Sequence, residues 1–366
     1  MPSSALSRYD RLYGKTILEL PISINVPPPE IQELDAANSS RSSVRSGDLR
    51  RAEIPNAHEI TEDVARAALL SHVQKKCCYG ASAAKRMNIV KISPSSAFHY
   101  ELQTFTEKRE TSWAFTPYGG GNIDSSEFGD PPTPWDITVE PELLFHNEVK
   151  VMEVPHTATV KHCHRCHGAG SLLCHQCHGK GWTPCLTCHG DGWRTDSHGR
   201  RDLCFYCHSS THGHGKQDCL KCNARGCVAC PTCDGYGQIR CFIRLTITWS
   251  TVTAEHIVER CSLPTDLIKQ VSGQVAFEEE GPRVLPIVTF PDATINLASI
   301  QLTKEHLAAF TDQRIVAQRQ QIRIIPVTQV SYEWKSYSGI FVMLGFENRV
   351  HCPDYPQSCC CGCSIL

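Results

Sequence analysis

The chain has 366 residues, with 36 Lys plus Arg against 38 Asp plus Glu and a formal net charge of −2. That length suits two or three domains, or one core domain with large appendages. The near balance of charge excludes a global field that would draw in nucleic acid, an anionic membrane or a basic partner. Cysteine is the outlier: 14 of the 22 fall between Cys163 and Cys241, and either metal or disulfides must account for them.

Residues 1–57 are rich in Ser, Pro and Arg, with Pro27, Pro28 and Pro29 together, and are expected to form a disordered arm. The apolar residues from Ile17 to Ile24 are interrupted by Glu19 and Pro21, so no secretory h-region is expected. A reducing compartment follows, cytoplasmic with a nuclear fraction also open, and it disfavours disulfides. Over 60–76, Val64, Ala67, Ala68, Leu69 and Val73 recur at helical spacing, which predicts one amphipathic helix.

From 87 to 160 the pattern alternates. Phe98, Tyr100 and Leu102 face one way, and 111–115 reads as a second strand after a charged turn at 107–110. Loops at 118–121 and 131–134 precede short strands near 137–139 and 149–154. Beyond the cysteines, Ile239, Cys241, Ile243, Leu245, Ile247 and Trp249 oppose Arg240, Arg244, Thr246 and Thr248, the mark of a long half-buried strand. A short helix is expected over 264–271, and a longer one over 303–320 with Leu307, Phe310, Arg314 and Ala317 along one side. A last hairpin joins 322–334 to 340–346 through a turn at 336–339. The apolar stretch 340–344 is far shorter than the ~20 residues that span a bilayer, so no integral membrane protein is expected.

Strands at 157–161 and 239–247 border the cysteine block and, if antiparallel, let it emerge as an insertion. The expected organisation is an arm (1–57), a helix and the first part of a sheet-rich domain (58–160), a cysteine hairpin (161–241), the second part of the sheet domain (242–350) and a cysteine-rich tail (351–366). The fold class is α+β, mainly β, with a few short helices.

Within the block, Cys163-x-x-Cys166-x-Gly168-x-Gly170, Cys174-x-x-Cys177-x-Gly179-x-Gly181 and Cys185-x-x-Cys188-x-Gly190-x-Gly192 start eleven residues apart, and Cys230-x-x-Cys233-x-Gly235-x-Gly237 is a fourth full copy. Two weaker pairs, Cys204 with Cys207 and Cys219 with Cys222, lie between, the latter keeping only Gly226. Two intervening residues let both thiolates of a tight turn reach one zinc at about 2.3 Å, so each pair is half a tetrahedron. Glycines just after it permit positive φ and close backbone approach. Metal binding would supply folding free energy in place of a hydrophobic core.

On these repeats, residues 160–241 resemble the DnaJ-type cysteine-rich zinc domain, and the whole chain resembles the animal ssu-two-homologue proteins, which carry that domain without a J domain. The resemblance implies nested pairing: Cys163 and Cys166 with Cys230 and Cys233, Cys174 and Cys177 with Cys219 and Cys222, and Cys185 and Cys188 with Cys204 and Cys207. It implies two to three Zn2+ ions, since the family form has four repeats and two zincs, whereas this chain has six pairs, with Cys227 as an alternative ligand. It also implies binding of unfolded or partner proteins, chaperones among them. No His-Pro-Asp tripeptide occurs, so stimulation of a heat-shock ATPase in the DnaJ manner is not implied.

Other readings compete for the same residues. His167, His178, His189 and His208 complete the haem c signature, but the trailing glycines have no role in haem attachment and two pairs end in Asn223 and Asp234. A thiol oxidoreductase needs a free dithiol, which a closed tetrathiolate site denies. For a nucleic-acid-binding regulator the charge is wrong: the block's ten Lys or Arg and five Asp or Glu give +5, which three tetrathiolate sites at −2 each bring to about −1. A zinc-dependent adaptor remains the alternative to a chaperone-like module. Trp182 and Trp193 are either peptide contacts or packing against the knuckles, and the histidines outer-shell groups, alternative ligands or spacers.

The chain closes with Cys359, Cys360, Cys361 and Cys363, the last placed for a Cys-a-a-X prenyl group and the others for palmitate, against the plainer reading of an incidental tail. Lipidation would give peripheral membrane association. Gly-x-Ser-x-Gly, phosphate-loop and His-Glu-x-x-His motifs are missing, so the expectation is a non-enzyme.

Overall fold

The computed structural model describes residues 24–29, 60–261 and 263–358. Most of the expected arm, and Cys359, Cys360, Cys361 and Cys363, lie outside the described residues. The strands are β1 (Ile24–Asn25), β2 (Asn88–Pro117), β3 (Glu148–Glu153), β4 (Thr159–His162), β5 (Ser171–Leu173), β6 (Trp182–Pro184), β7 (Trp193–Thr195), β8 (Arg201–Leu203), β9 (Lys216–Asp218), β10 (Cys227–Ala229), β11 (Gln238–Val258), β12 (Gln274–Gly281), β13 (Arg314–Trp334), β14 (Tyr337–Leu344) and β15 (Arg349–His351). Among the described residues four helices accompany them: α1 (Glu62–Gln74), α2 (Ala81–Arg86), α3 (Thr265–Lys269) and α4 (Ala293–Ala309). Nine strands form one sheet in the order β15-β14-β13-β2-β11-β3, with β1 on β2, β12 on β13 and β4 on β11. The fold is α+β and mainly β.

The chain divides into two compact units, one built chiefly on Arg109–Val139 and Lys150–Ile247, the other on Pro27–Lys108 and Thr248–Leu366. In the second, α1 starts where the Thr61 hydroxyl accepts from the Val64 N–H at 3.4 Å, with Glu62 and Asp63 against the positive end of the helix dipole. Its buried stripe of Ala65, Leu69 and Val73 packs with Val330, Phe341 and Met343 of the sheet. A second cluster joins Phe98, Tyr100 and Leu102 to Ile322, Ile324 and Ile295.

Four expectations are corrected. Residues 107–110 are not a turn, because β2 runs unbroken through them. Glu107 and Arg109 are buried, the first bonded to Arg314, the second donating to the carbonyls of Pro134 and Ile137 and lying over the Trp135 ring at 4.7 Å. A charge whose hydrogen bonds are met inside does not mark a turn.

The long helix lies at 293–309, not 303–320: the Asp292 carboxylate accepts from the Thr294 N–H at 2.9 Å and caps it. Residues 314–320 belong to β13, whose buried positions continue as Gln318, Gln320, Ile322 and Ile324. The glutamines hide the period of two. They face inward because they are satisfied: Gln318 donates to the Thr104 hydroxyl at 3.0 Å and Gln320 to the Leu285 carbonyl at 2.8 Å.

No strand forms at 137–139, where the Ile137 carbonyl is turned to meet Arg109, and nearby Trp135 bonds Val26 instead. The last hairpin turns at Lys335 (φ 56°) and Ser336, closed by Trp334 opposite Tyr337, so Gly339 sits within β14 against Tyr332.

Asp292→Ala should cost about 1 kcal/mol through loss of the cap. The measurement is an earlier urea midpoint at unchanged m-value; no shift would place the helix start elsewhere.

Candidate metal centre

The base of the cysteine arm is the antiparallel pairing of β4 with β11, from Thr159 opposite Cys241 to His162 opposite Gln238. From there the chain runs out through β5, β6 and β7 and returns through β8, β9 and β10, forming three two-stranded rungs: β5 with β10, β6 with β9, β7 with β8. Outgoing and returning segments each present a Cys-x-x-Cys turn between rungs.

Three buried groups result: Cys163, Cys166, Cys230 and Cys233 near the base, Cys174, Cys177, Cys219 and Cys222 in the middle, and Cys185, Cys188, Cys204 and Cys207 at the far end, the sulfurs of each lying within 4.8 Å of one another. First pairs with last throughout. Across the groups the sulfurs stand 3.7–3.9 Å apart, for example 3.8 Å for Cys163–Cys230 and 3.7 Å for Cys177–Cys222. A tetrahedron with metal–sulfur bonds of about 2.3 Å has edges of about 3.8 Å, whereas a disulfide needs about 2.05 Å. The donor set and spacing are therefore those of a tetrathiolate metal site, compatible with zinc.

The backbone explains the repeat. The N–H of the first cysteine on each turn donates to the last glycine of the facing turn, reciprocally: Cys163 to Gly237 and Cys230 to Gly170, both at 2.8 Å. That glycine's own N–H points at the second cysteine's sulfur, 3.2 Å for Gly170 on Cys166. Such N–H···S contacts favour thiolate. The position admits no side chain, because at Gly170 (φ 71°) a Cβ would stand 2.2 Å from the Gly235 oxygen.

The residue after each second cysteine is left-handed at five of the six turns: His167, His178, His189, Asn223 and Asp234, with φ of 48–51°. His, Asn and Asp are the non-glycine types most often found there. Three of the four haem-like histidines, His167, His178 and His189, thus answer a backbone demand.

Two signals escaped the sequence reading. The Cys204–Cys207 turn has its glycines, displaced to Gly213 and Gly215: the Gly215 N–H points at the Cys207 sulfur at 3.3 Å, and its carbonyl accepts from Cys185. In the Cys219–Cys222 turn, Ala224 takes the first glycine's place at φ 61°. A search allowing a loop between cysteine and glycine would have found Gly215.

Charge sets the occupant. Cys174 is pulled down to about 7, chiefly by the Cys177 N–H. At Cys185 and Cys230 burial pushes up, but neighbouring N–H groups outweigh it and leave each at about 7. Burial pushes Cys207 and Cys222 up to about 12 and Cys233 to about 11. One thiol per group ionises readily while another keeps its proton until a cation replaces it, so metal uptake must release protons.

Cys227 stays out of all three groups, exposed on β10 opposite Leu173. Cys241 is buried beside the basal group with Ile239, and Trp113 packs there. Trp182 is half-buried beneath the Lys216 ammonium at 4.3 Å, whereas Trp193 is exposed. A fourth cluster, His99 with Glu101 and Glu255, has a different character. Arg323 donates to His99 Nδ1, so the ring's proton sits on Nε2, which leaves no lone pair there for a metal.

Gly170→Ala should weaken metal binding by at least about tenfold, ~1.4 kcal/mol, since the Cβ would meet the Gly235 oxygen at 2.2 Å and push the facing turns apart. Competition with a chromophoric chelator measures it. Gly120→Ala, where a Cβ meets nothing within 4 Å, is the strained control without the clash and should stay near wild type.

No family model and no solved structure matches the chain. Curated relatives do: a protein SSUH2 homolog from Homo sapiens is 43% identical over 309 residues, covering 84% of this chain and 80% of the relative. One from Danio rerio is 41% identical, covering 83% and 82%, and one from Mus musculus 38%, covering 71% and 75%. At that identity and coverage, the chain belongs to the family of SSUH2 homologues.

Proposed function

We propose that this protein binds three zinc ions, one in each tetrathiolate group, and uses the stiffened arm to hold unfolded or partner proteins, as a chaperone-like module without J-domain activity. The observation that carries the reading is where the apolar side chains of the knuckles go. Leu186, Phe205 and Leu220 occupy positions between paired cysteines and are 82%, 78% and 87% exposed, with Tyr206 exposed beside Phe205. An arm whose folding free energy comes from metal has no need to bury them, and exposed apolar groups on a stiff support suit protein contact.

The reading fits a DnaJ-type zinc domain placed in a protein that lacks a J domain, with heat-shock chaperones as candidate partners. It also fits a non-enzyme acting in a reducing compartment, cytoplasmic or nuclear, where twelve thiols stay available to metal. A zinc-dependent adaptor for one folded partner is the second reading, favoured by the same exposed side chains.

The test combines native mass spectrometry with suppression of aggregation of a chemically unfolded client. Three zincs and holding activity are expected. The triple variant Leu186→Asp, Phe205→Asp and Leu220→Asp should keep all three ions and lose most of the holding. Retained zinc with no client binding by the wild type would shift the reading to the adaptor, and failure to bind zinc would overturn both.

A further inference from the structure

A surface helix ordinarily turns its large apolar side chains inward and its polar ones out. Over much of its length α4 does the reverse. Ser299, Thr303 and His306 are buried, while Leu297, Ile300 and Leu307 are 66%, 43% and 45% exposed. The inward polar groups are all bonded. The Ser299 hydroxyl accepts from the Ile287 N–H at 2.9 Å and donates to the Tyr100 hydroxyl at 3.1 Å. The Thr303 hydroxyl donates to the Ser299 carbonyl at 2.6 Å, and His306 Nδ1 lies 2.7 Å from the Thr104 hydroxyl. With Ile295 buried and Leu302 partly so, these bonds hold the helix on the sheet without help from the outer aliphatic side chains.

Those outer side chains share a face. Residues 297, 300, 304 and 307 are separated by three, four and three, the spacing by which one helix presents a seam to another. At about 1.5 Å per residue the seam is about 15 Å long. Leu285 and Val288 add exposed apolar surface on the segment that the Ser299 and Asn296 hydrogen bonds hold against α4. Apolar groups gathered outside in this way mark a contact surface.

Lys304 decides the occupant. It is exposed in the middle of the seam and has no ion pair among the described residues. Glu305, next in sequence, points to another side of the helix, where it accepts from Gln301 at 2.8 Å. A second copy would bring Lys304 no carboxylate: two parallel seams set it against Lys304, and two centred antiparallel ones against Ile300. A seam about 15 Å long on a helix about 10 Å wide also falls well below the ~800 Å2 per partner of a stable dimer, and suits the transient contact of a single helix. An anionic membrane asks for a cluster of cations, and the seam has one.

We propose that α4 docks an amphipathic helix of a partner protein on Leu297, Ile300 and Leu307, with an acidic side chain of that helix paired to Lys304. The face is separate from the apolar knuckles of the cysteine arm.

The test uses the full zinc-loaded chain and two synthetic peptides of about 20 residues, leucine-faced helices alike except that the residue set to meet Lys304 is glutamate in one and lysine in the other. Fluorescence anisotropy reads binding. Wild type should bind the glutamate peptide at least about fivefold tighter than the lysine peptide, and Lys304→Glu should reverse that preference. Leu297→Asp with Leu307→Asp should weaken both peptides at least about tenfold while keeping the wild-type circular dichroism spectrum. The triple aspartate variant of the arm at 186, 205 and 220 should bind as wild type does. Equal affinity for the two peptides, or no effect of the 297 and 307 substitutions, would overturn the proposal. So would self-association in sedimentation that Leu297→Asp abolishes, which would give the face to a second copy, or capture on phosphatidylserine vesicles lost in the same variant, which would give it to a membrane.

Discussion

Four sulfurs buried within 4.8 Å of one another present an electrostatic problem with few solutions. As thiolates they repel in a medium that screens poorly, as thiols they waste the N–H groups aimed at them, and as disulfides they would have to close from 3.7–3.9 Å to about 2.05 Å. A divalent cation at the centre removes the repulsion and keeps every N–H···S contact. In this arm the buried sulfurs take the place of a hydrophobic core: the middle cluster contains only its cysteines with Val228 packed against them, and the outer one only its cysteines.

Much else in the arm follows from that substitution. Because each half-site is a tight turn, two turns from opposite strands must approach closely, and the glycine-to-cysteine hydrogen bonds run reciprocally across all three groups. Because a tight Cys-x-x-Cys turn must reverse at once, the residue after the second cysteine goes left-handed in five of the six turns. Side chains that a small domain would need for its interior stay outside, as Leu186, Phe205 and Leu220 do. The physical source of stability and the exposed apolar surface are two sides of one arrangement.

The support follows ordinary rules with polar groups buried in it. Inward-facing Gln318 and Gln320 and strand-centre Glu107 and Arg109 are all bonded. Such residues blur the patterns from which elements are read, and the misplaced helix at 303–320 and the supposed turn at 107–110 came from them. The helix at 60–76, the strand from 239 and the pairing at the base of the arm were legible because their periods are carried by apolar residues without interruption. Gly215 was invisible for another reason: its distance along the chain from Cys207 is set by a loop, and only its distance in space is fixed by the turn.

The amino-acid sequence by itself determined the chemistry of the centre, because two residues between cysteines followed by Gly-x-Gly is a local rule that one turn imposes on its own residues. It also determined that the protein is mainly β with a cysteine arm set between two parts of a sheet. Only the tertiary structure decided which cysteines share a group, that Cys227 belongs to none, that Gly213 and Gly215 complete the outermost turn, and that Ser358 pairs with Tyr79. Those facts depend on strand register and chain direction, which arise from contacts between residues distant in sequence and leave no periodic trace in either partner alone.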